Sequence, residues 1–239
     1  MTWSIIAREP GSGAFGIAIT TKAFAVGARC VFTASGVGAI ATQSFTNPML
    51  GTRGLRLLRE GVAAPDVLAV LIAADEGRAI RQLHIVDTAG RNAAYTGERC
   101  VQWCGHRVGD GFSVAGNMLA GRAVVEESFA HYANAKDAPF AERLLAALEA
   151  GQRAGGDKRG KQSAALVLCS TEDVADIDLR VDDHAEPLAE LRRLLGIFNR
   201  DVAPFRGITP TRARPSGISD PREIEAYYAE RGRAFRFEE

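Results

Sequence analysis

An excess of charge of either sign is what this chain most plainly lacks. Its 29 Lys and Arg are matched by 29 Asp and Glu, for a formal net charge of zero at pH 7. No overall field therefore draws it to nucleic acid or to an anionic membrane. Long hydrophobic runs are missing too. The longest, Val67 to Ala74, falls far short of the roughly 20 apolar residues that span a bilayer. The first residues show no charged segment leading into an apolar stretch, so no signal peptide is expected and the cytoplasm is the default compartment. Cysteine is scarce, with four residues in all. Cys100 and Cys104 lie close together, but no second Cys or His pair at metal-ligand spacing completes a site, even with His106 nearby. Free, mostly buried thiols in a reducing compartment are the expectation. The histidines, His84, His106, His131 and His184, make no HExxH pattern and read as structural. Gly109-Asp110-Gly111 fits neither a GxGxxG nor a P-loop pattern, which leaves nucleotide binding without support.

What is there begins at the second residue. Thr2 stands directly behind the initiator methionine, and a small residue at that place permits methionine removal. The exposed threonine would carry a hydroxyl nucleophile beside a free α-amine, whose pKa near 8 makes it a base at neutral pH. Many chains begin Met-Thr with no catalytic meaning, so position alone leaves both readings open. Thr2 also heads a strand that returns through Pro10-Gly11-Ser12-Gly13. Face matching favours Ile5 opposite Ile19, Ser4 opposite Thr20 and Thr2 opposite Lys22, over a one-residue slip that sets Trp3 and Ile5 against Thr20 and Ala18. In that register the Lys22 charge would lower the pKa of the Thr2 groups and stabilise developing negative charge. The alternative is a lysine that blunts a strand end.

A chain of 239 residues, 46% hydrophobic and 24% charged, suits one soluble domain with an appendage. Two further short strands follow the hairpin between Arg29 and Ser44. Helical periodicity runs from about Leu50 to Gly61 and again after Ala64-Pro65-Asp66. Strand character returns at Gln82 to Val86, Asn92 to Thr96 and Gly111 to Gly116, and helices are expected at Gly121 to Ala133 and Pro139 to Gly151. Strands at Ser163 to Ser170 and Val174 to Val181 precede a helix from Pro187 to Phe198. Tight turns between consecutive strands imply antiparallel sheets, and paired helices must cover their outer faces. The expected fold is α+β, a four-layer αββα sandwich over residues 1–200. Residues 201–239 read as a Pro/Arg-rich arm with a short helix possible from Pro221 to Gly232. Its aromatics Tyr227, Tyr228, Phe235 and Phe237 suggest that it lies on something, in this subunit or another, so a homodimer or higher homo-oligomer is expected.

Ser4 to Arg8, Lys22 to Gly27 and Gly36 to Gln43 carry a resemblance that continues through Asn47-Pro48, Arg81-Gln82-Leu83 and Ala94 to Gly97. It extends through Val108 to Phe112, Gly116-Asn117, Gly155-Gly156-Asp157, Gln162 to Ala165 and Leu179 to His184. Together these stretches resemble a bacterial family of unknown function grouped with the N-terminal-nucleophile hydrolases. The resemblance covers roughly residues 2–198, leaves out the tail, and implies the αββα fold. It also implies amide-hydrolase chemistry, with Thr2 as nucleophile, its amine as base, Lys22 as charge-stabilising cation and Asn117 as oxyanion donor. Gln43, Ser44, Asn47 and Gln162 are candidates to orient the substrate. Asp182 and Asp183 would face opposite sides of a strand and cannot form a relay with His184; one of them is a candidate contact or ion-pair partner, and Asp182 is carried as a substrate-binding candidate. The expected protein is an amidohydrolase for a small linear amide or ureido compound. It needs no metal or organic cofactor, because the nucleophile brings its own base. The alternative is a protein of the same fold that binds a metabolite or partner without catalysis.

Overall fold

The first two strands, β1 (Thr2–Arg8) and β2 (Phe15–Thr21), form the expected hairpin in the computed structural model, which describes residues 2–237. Gly13 turns the chain at φ +72°, a left-handed conformation cheap only for glycine. The register differs by one residue from the sequence expectation: Trp3 faces Thr20, Ser4 faces Ile19 and Ile5 faces Ala18. A slip of one exchanges the faces of a strand, and the second face here is as apolar as the first. Ile5 pairs with Ala18 on the side where Gly16 meets Leu144 and Phe140, while Ile6, Phe15 and Ile17 turn inward with Ala39, Ala41 and Val86. Bulky residues thus sit on both faces of β1 and β2, and single-pair matching does not rank the two registers.

A short helix α1 (Gly27–Cys30) precedes β3 (Val31–Ala34) and β4 (Gly38–Ser44). Then come α2 (Pro48–Arg59), α3 (Ala64–Ala73), β5 (Arg81–Asp87), β6 (Asn92–Thr96), β7 (Gly105–Val108) and β8 (Phe112–Asn117). The chain continues through α4 (Ala123–Asn134), α5 (Phe140–Arg153), β9 (Ser163–Cys169), β10 (Ile177–Val181) and α6 (Pro187–Asp201). Two antiparallel sheets result, a six-stranded one in the order β10-β9-β2-β1-β8-β7 and a four-stranded one in the order β3-β4-β5-β6. Strand β7 and helix α1 carry too few apolar residues to show a period and had no sequence signal.

Period-two alternation divides each strand between two cores. Ile40, Leu83 and Ile85 turn outward to Leu50, Leu58, Val67 and Leu71 of α2 and α3. Helix α2 lies close on its sheet because Gly51 and Gly54 leave room for Phe32 and Ile40: a Cβ there would stand 2.2 Å and 2.5 Å from them. Asn47 caps α2 by accepting from Met49 N at 3.1 Å, with Pro48 in the first turn. Helices α4 and α5 cover the other sheet from outside, and the inner faces of the two sheets meet.

A first compact unit ends at Leu191 and a second begins at Arg192. In the second, α7 (Pro221–Glu230) starts at an Asp220 cap. The tail aromatics find partners among themselves. Phe205 stacks on Tyr228 at 4.5 Å, Tyr228 on Phe235 at 5.0 Å, and Phe237 meets Phe235 edge-on at 5.1 Å.

Candidate active site

Between the sheets, the core changes character along β1. Near Ile6 it is apolar; near Thr2 it is made of side chains that hydrogen-bond. Ser4, Gln43, Gln82, His84 and Ser113 are completely buried, and Asn117 nearly so. Buried polar groups are costly unless paired, and nearly all of these are.

Backbone carbonyls fix the direction of the network. Gln82 Nε2 donates to Gly116 O at 2.8 Å and Gly105 O at 3.1 Å, with Thr96 Oγ1 at 2.9 Å. A carbonyl only accepts, so Gln82 Oε1 must face the other way, where Gln43 Nε2 (2.7 Å) and Asn117 Nδ2 (3.0 Å) donate to it. Gln43 Nε2 also donates to Ala115 O at 3.1 Å, and Gln43 Oε1 accepts from Ser4 Oγ at 2.7 Å. The Ser4 hydrogen is thereby used. His84 Nε2, 2.8 Å from Ser4 Oγ, must be the donor there, and His84 Nδ1 accepts from Ser113 Oγ at 3.0 Å. The imidazole is neutral, with its proton on Nε2. Burial, helped by the nearby His106, pushes its pKa down to about 3.

The network ends at the candidate nucleophile. Thr2 pairs with Asn117 across β1 and β8, and Asn117 Nδ2 donates its second hydrogen to Thr2 O, with the nitrogen 3.4 Å from that oxygen. Both amide hydrogens of Asn117 are therefore engaged inside the protein, whereas the oxyanion role expected from the sequence needs a free one. Its Oδ1, by contrast, is buried without a partner.

Thr2 Oγ1 donates to Thr21 Oγ1 at 3.2 Å, and both residues line a cavity of about 420 Å³. Phe24, Phe45 and Ile80 give the cavity apolar wall; Arg29 and Arg81 give it positive charge; Ser44, Thr46 and Cys30 complete it. Arg81 is held by Asp75 at 2.9 Å and by the Phe45 carbonyl, while Arg29 is exposed. Burial raises the Cys30 thiol above its ordinary pKa, which makes it a poor thiolate nucleophile. Backbone strain gathers at this end of the sheets. Among the described residues, the non-glycine positions with positive φ are Ala25 (52°), Ser44 (73°) and Met118 (54°). Ser44 lines the cavity, Ala25 lies in the loop between Ala23 and Val26 that also lines it, and Met118 follows Asn117. Such conformations cost about 1–3 kcal/mol each and collect where a site is held in place.

The remaining candidates are spread out. Lys22 is the correction that follows from the register. Thr21, not Lys22, meets Thr2, and the exposed Lys22 side chain is not part of the cavity lining. Its backbone N donates instead to buried Asp157 at 2.8 Å, which anchors the end of β2. Gln43 belongs to the buried network, and Asn47 serves as the α2 cap. Gln162 donates to Asp183 at 3.1 Å, and exposed Asp182 accepts from Ala25 N at 3.0 Å through its backbone oxygen. Thr21, Arg29, Arg81 and Phe24 were not signalled as a group, because they come from loops and strand ends far apart in sequence. Gln82 and His84 did leave a signal: polar residues alternate with Leu83 and Ile85 in a strand otherwise fit for a core.

A family model described as a family of unknown function (DUF1028) matches residues 2–191. The crystal structure of a Silicibacter pomeroyi protein described by the same family model aligns with a TM-score of 0.85 and 30% identity, covering 92% of this chain and 96% of that chain. An Anbu mutant from Hyphomicrobium sp. strain MC1 aligns over 84% of this chain and 95% of its own, at 13% identity and a TM-score of 0.42. Anbu (ancestral beta-subunit) from Yersinia bercovieri covers 82% and 96%, at 12% identity and a TM-score of 0.38. Both of these likenesses are remote. No curated protein matches the chain.

Proposed function

The chain belongs to the family of unknown function DUF1028, and we propose that it is an amidohydrolase of the N-terminal-nucleophile kind, with the αββα layering of that superfamily. It would cleave a small linear amide or ureido compound through Thr2. One observation carries the reading: the Thr2 hydroxyl lies against Thr21 at the wall of a cavity, on the one residue that methionine removal would leave with a free α-amine.

In the proposed reaction Thr2 Oγ1 attacks the substrate carbonyl carbon while its proton passes to the α-amine, directly or through a water. The tetrahedral intermediate collapses as the leaving nitrogen takes that proton, leaving on Thr2 an ester from an amide or a carbamate ester from a ureido compound. Water, activated by the same amine, then hydrolyses the ester. The positive charge of Arg29 and Arg81 would stabilise an oxyanion or hold an anionic group of the substrate. Asn117 acts as a positioning residue: it holds the Thr2 backbone and leaves one acceptor oxygen at this end of the strand. The polar network would fix Asn117 in turn.

The test is hydrolysis of a panel of short amides and ureido compounds by protein of verified N-terminus. Wild type should turn over at least one class, Thr2→Ser should retain part of that rate, and Thr2→Ala should lose it. Equal turnover by Thr2→Ala would return the protein to the reading in which this fold only binds.

A further inference from the structure

At the far end of β1, about 20 Å from Thr2 at some 3.3 Å per residue, lies a larger cavity of about 790 Å³. Its floor is a buried arginine. Arg143 is 8% exposed, and its guanidinium meets only uncharged groups: Tyr132 Oη at 2.5 Å from Nη2, Lys136 O at 3.3 Å from Nη1, and the Tyr132 ring with its centroid 4.3 Å away. The Tyr132 hydroxyl is pushed above its ordinary pKa by burial, so it stays neutral. No carboxylate pairs with Arg143 among the described residues. A buried charge without a counter-charge is one of the costlier things a fold can hold. Thr2 lies at the other end of the strand, so nothing in the reaction proposed above uses it.

We propose that this cavity is a second ligand site, for a small organic monocarboxylate with an aromatic or otherwise apolar body. The carboxylate sits on the free hydrogens of the Arg143 Nη atoms, the group that lacks a counter-charge. The apolar body lies along Phe112, Phe129 and Tyr132, whose rings already pack at 4.6 Å centroid separations. Arg8 and Lys136 add positive charge to the lining, while Glu9 and Asp110 add negative charge. With Arg143 the lining holds three cations and two carboxylates, a net single positive charge that a monoanion balances and a dianion exceeds, which favours carboxylate over phosphate. The volume falls in the range of small-molecule sites, a few hundred to a thousand Å³. The site does not depend on catalysis at Thr2.

The experiment is calorimetric titration of the full chain with benzoate, with benzyl alcohol as its neutral counterpart and phenyl phosphate as the dianion. Benzoate should bind saturably at one site; benzyl alcohol, which loses the charge-assisted contact, and phenyl phosphate, whose second charge the lining does not balance, should each bind at least about tenfold more weakly. Arg143→Met should weaken benzoate at least tenfold, and Phe129→Leu, a milder change in a half-buried ring, should weaken it several-fold. Thr2→Ala should bind benzoate like wild type. If Arg143→Met does not fold, the Phe129→Leu titration and the three-ligand comparison on wild type still decide. Absence of benzoate binding, equal binding of benzyl alcohol, or unchanged affinity in a folded Arg143→Met or in Phe129→Leu would overturn the proposal.

Discussion

Ser4 Oγ and His84 Nε2 lie 2.8 Å apart, and both side chains are sealed from solvent. A serine beside a histidine suggests a nucleophile beside its base, yet no substrate could reach either one. The pair is a link in the network between the sheets, and its hydrogen runs from the imidazole to the hydroxyl, opposite to what activation of the serine would need. The consequence is positional: Gln43, Gln82 and Asn117 are each held in one orientation, and Thr2 is paired to the last of them.

The buried histidine predicts a pH dependence of stability. Its folded pKa is depressed to about 3, below the unfolded value near 6.5, so the unfolded chain binds the extra proton between those limits. Stability is full above about pH 6.5 and falls as pH drops toward 3, at roughly 1.4 kcal/mol per pH unit from this one group. Urea denaturation of wild type and His84→Gln across that window checks it. The variant should start less stable at pH 7 and lose less on acidification. Parallel curves would remove the histidine from the account.

Gln82 is the hub of the network. Gln82→Leu would strand the amides of Gln43 and Asn117 in the core and remove the side-chain donor to the Gly105 and Gly116 carbonyls. Each such group costs about 1–3 kcal/mol, so a drop of several kcal/mol in unfolding free energy is expected. Asn117→Ala removes less and should cost about 1–2 kcal/mol while lowering turnover through the loosened Thr2 strand. Differential scanning calorimetry and steady-state kinetics separate the two effects.

Cation substitutions distinguish the observed register from the one expected at first. Lys22→Met should leave the melting temperature within a few degrees and turnover within about twofold of wild type, as for an exposed side chain away from the site. Arg29→Met, also exposed but lining the cavity, should leave folding intact and raise KM for a negatively charged amide by about tenfold. If Lys22→Met were the damaging change and Arg29→Met silent, the assignment of charges at the cavity would be wrong.

The strands and helices of the first unit were largely legible in the sequence. Alternation marked β1 and β2, a turn rich in glycine joined them, and Pro48 and Pro65 stood where α2 and α3 begin. The register was not, because Ile5 and Ile19 both find apolar surroundings in either alignment when helices cover one face and a second sheet covers the other. That single residue moved the expected partner of Thr2 from Lys22 to Thr21. Asn117 was singled out in the sequence, but its partners were not legible there: its amide hydrogens go to Gln82 and to the Thr2 carbonyl, which only the folded sheets bring near. Arg29 and Arg81 come from separate elements, and nothing in their local sequence links them.

Mass analysis of the N-terminal peptide, after the natively expressed protein has reacted with an acylating β-lactone, tests the central claim most directly. The account predicts a peptide that has lost Met1 and carries the acyl group on Thr2. A peptide with Met1 in place and Thr2 unmodified, or an adduct on another residue with Thr2 left free, would contradict it.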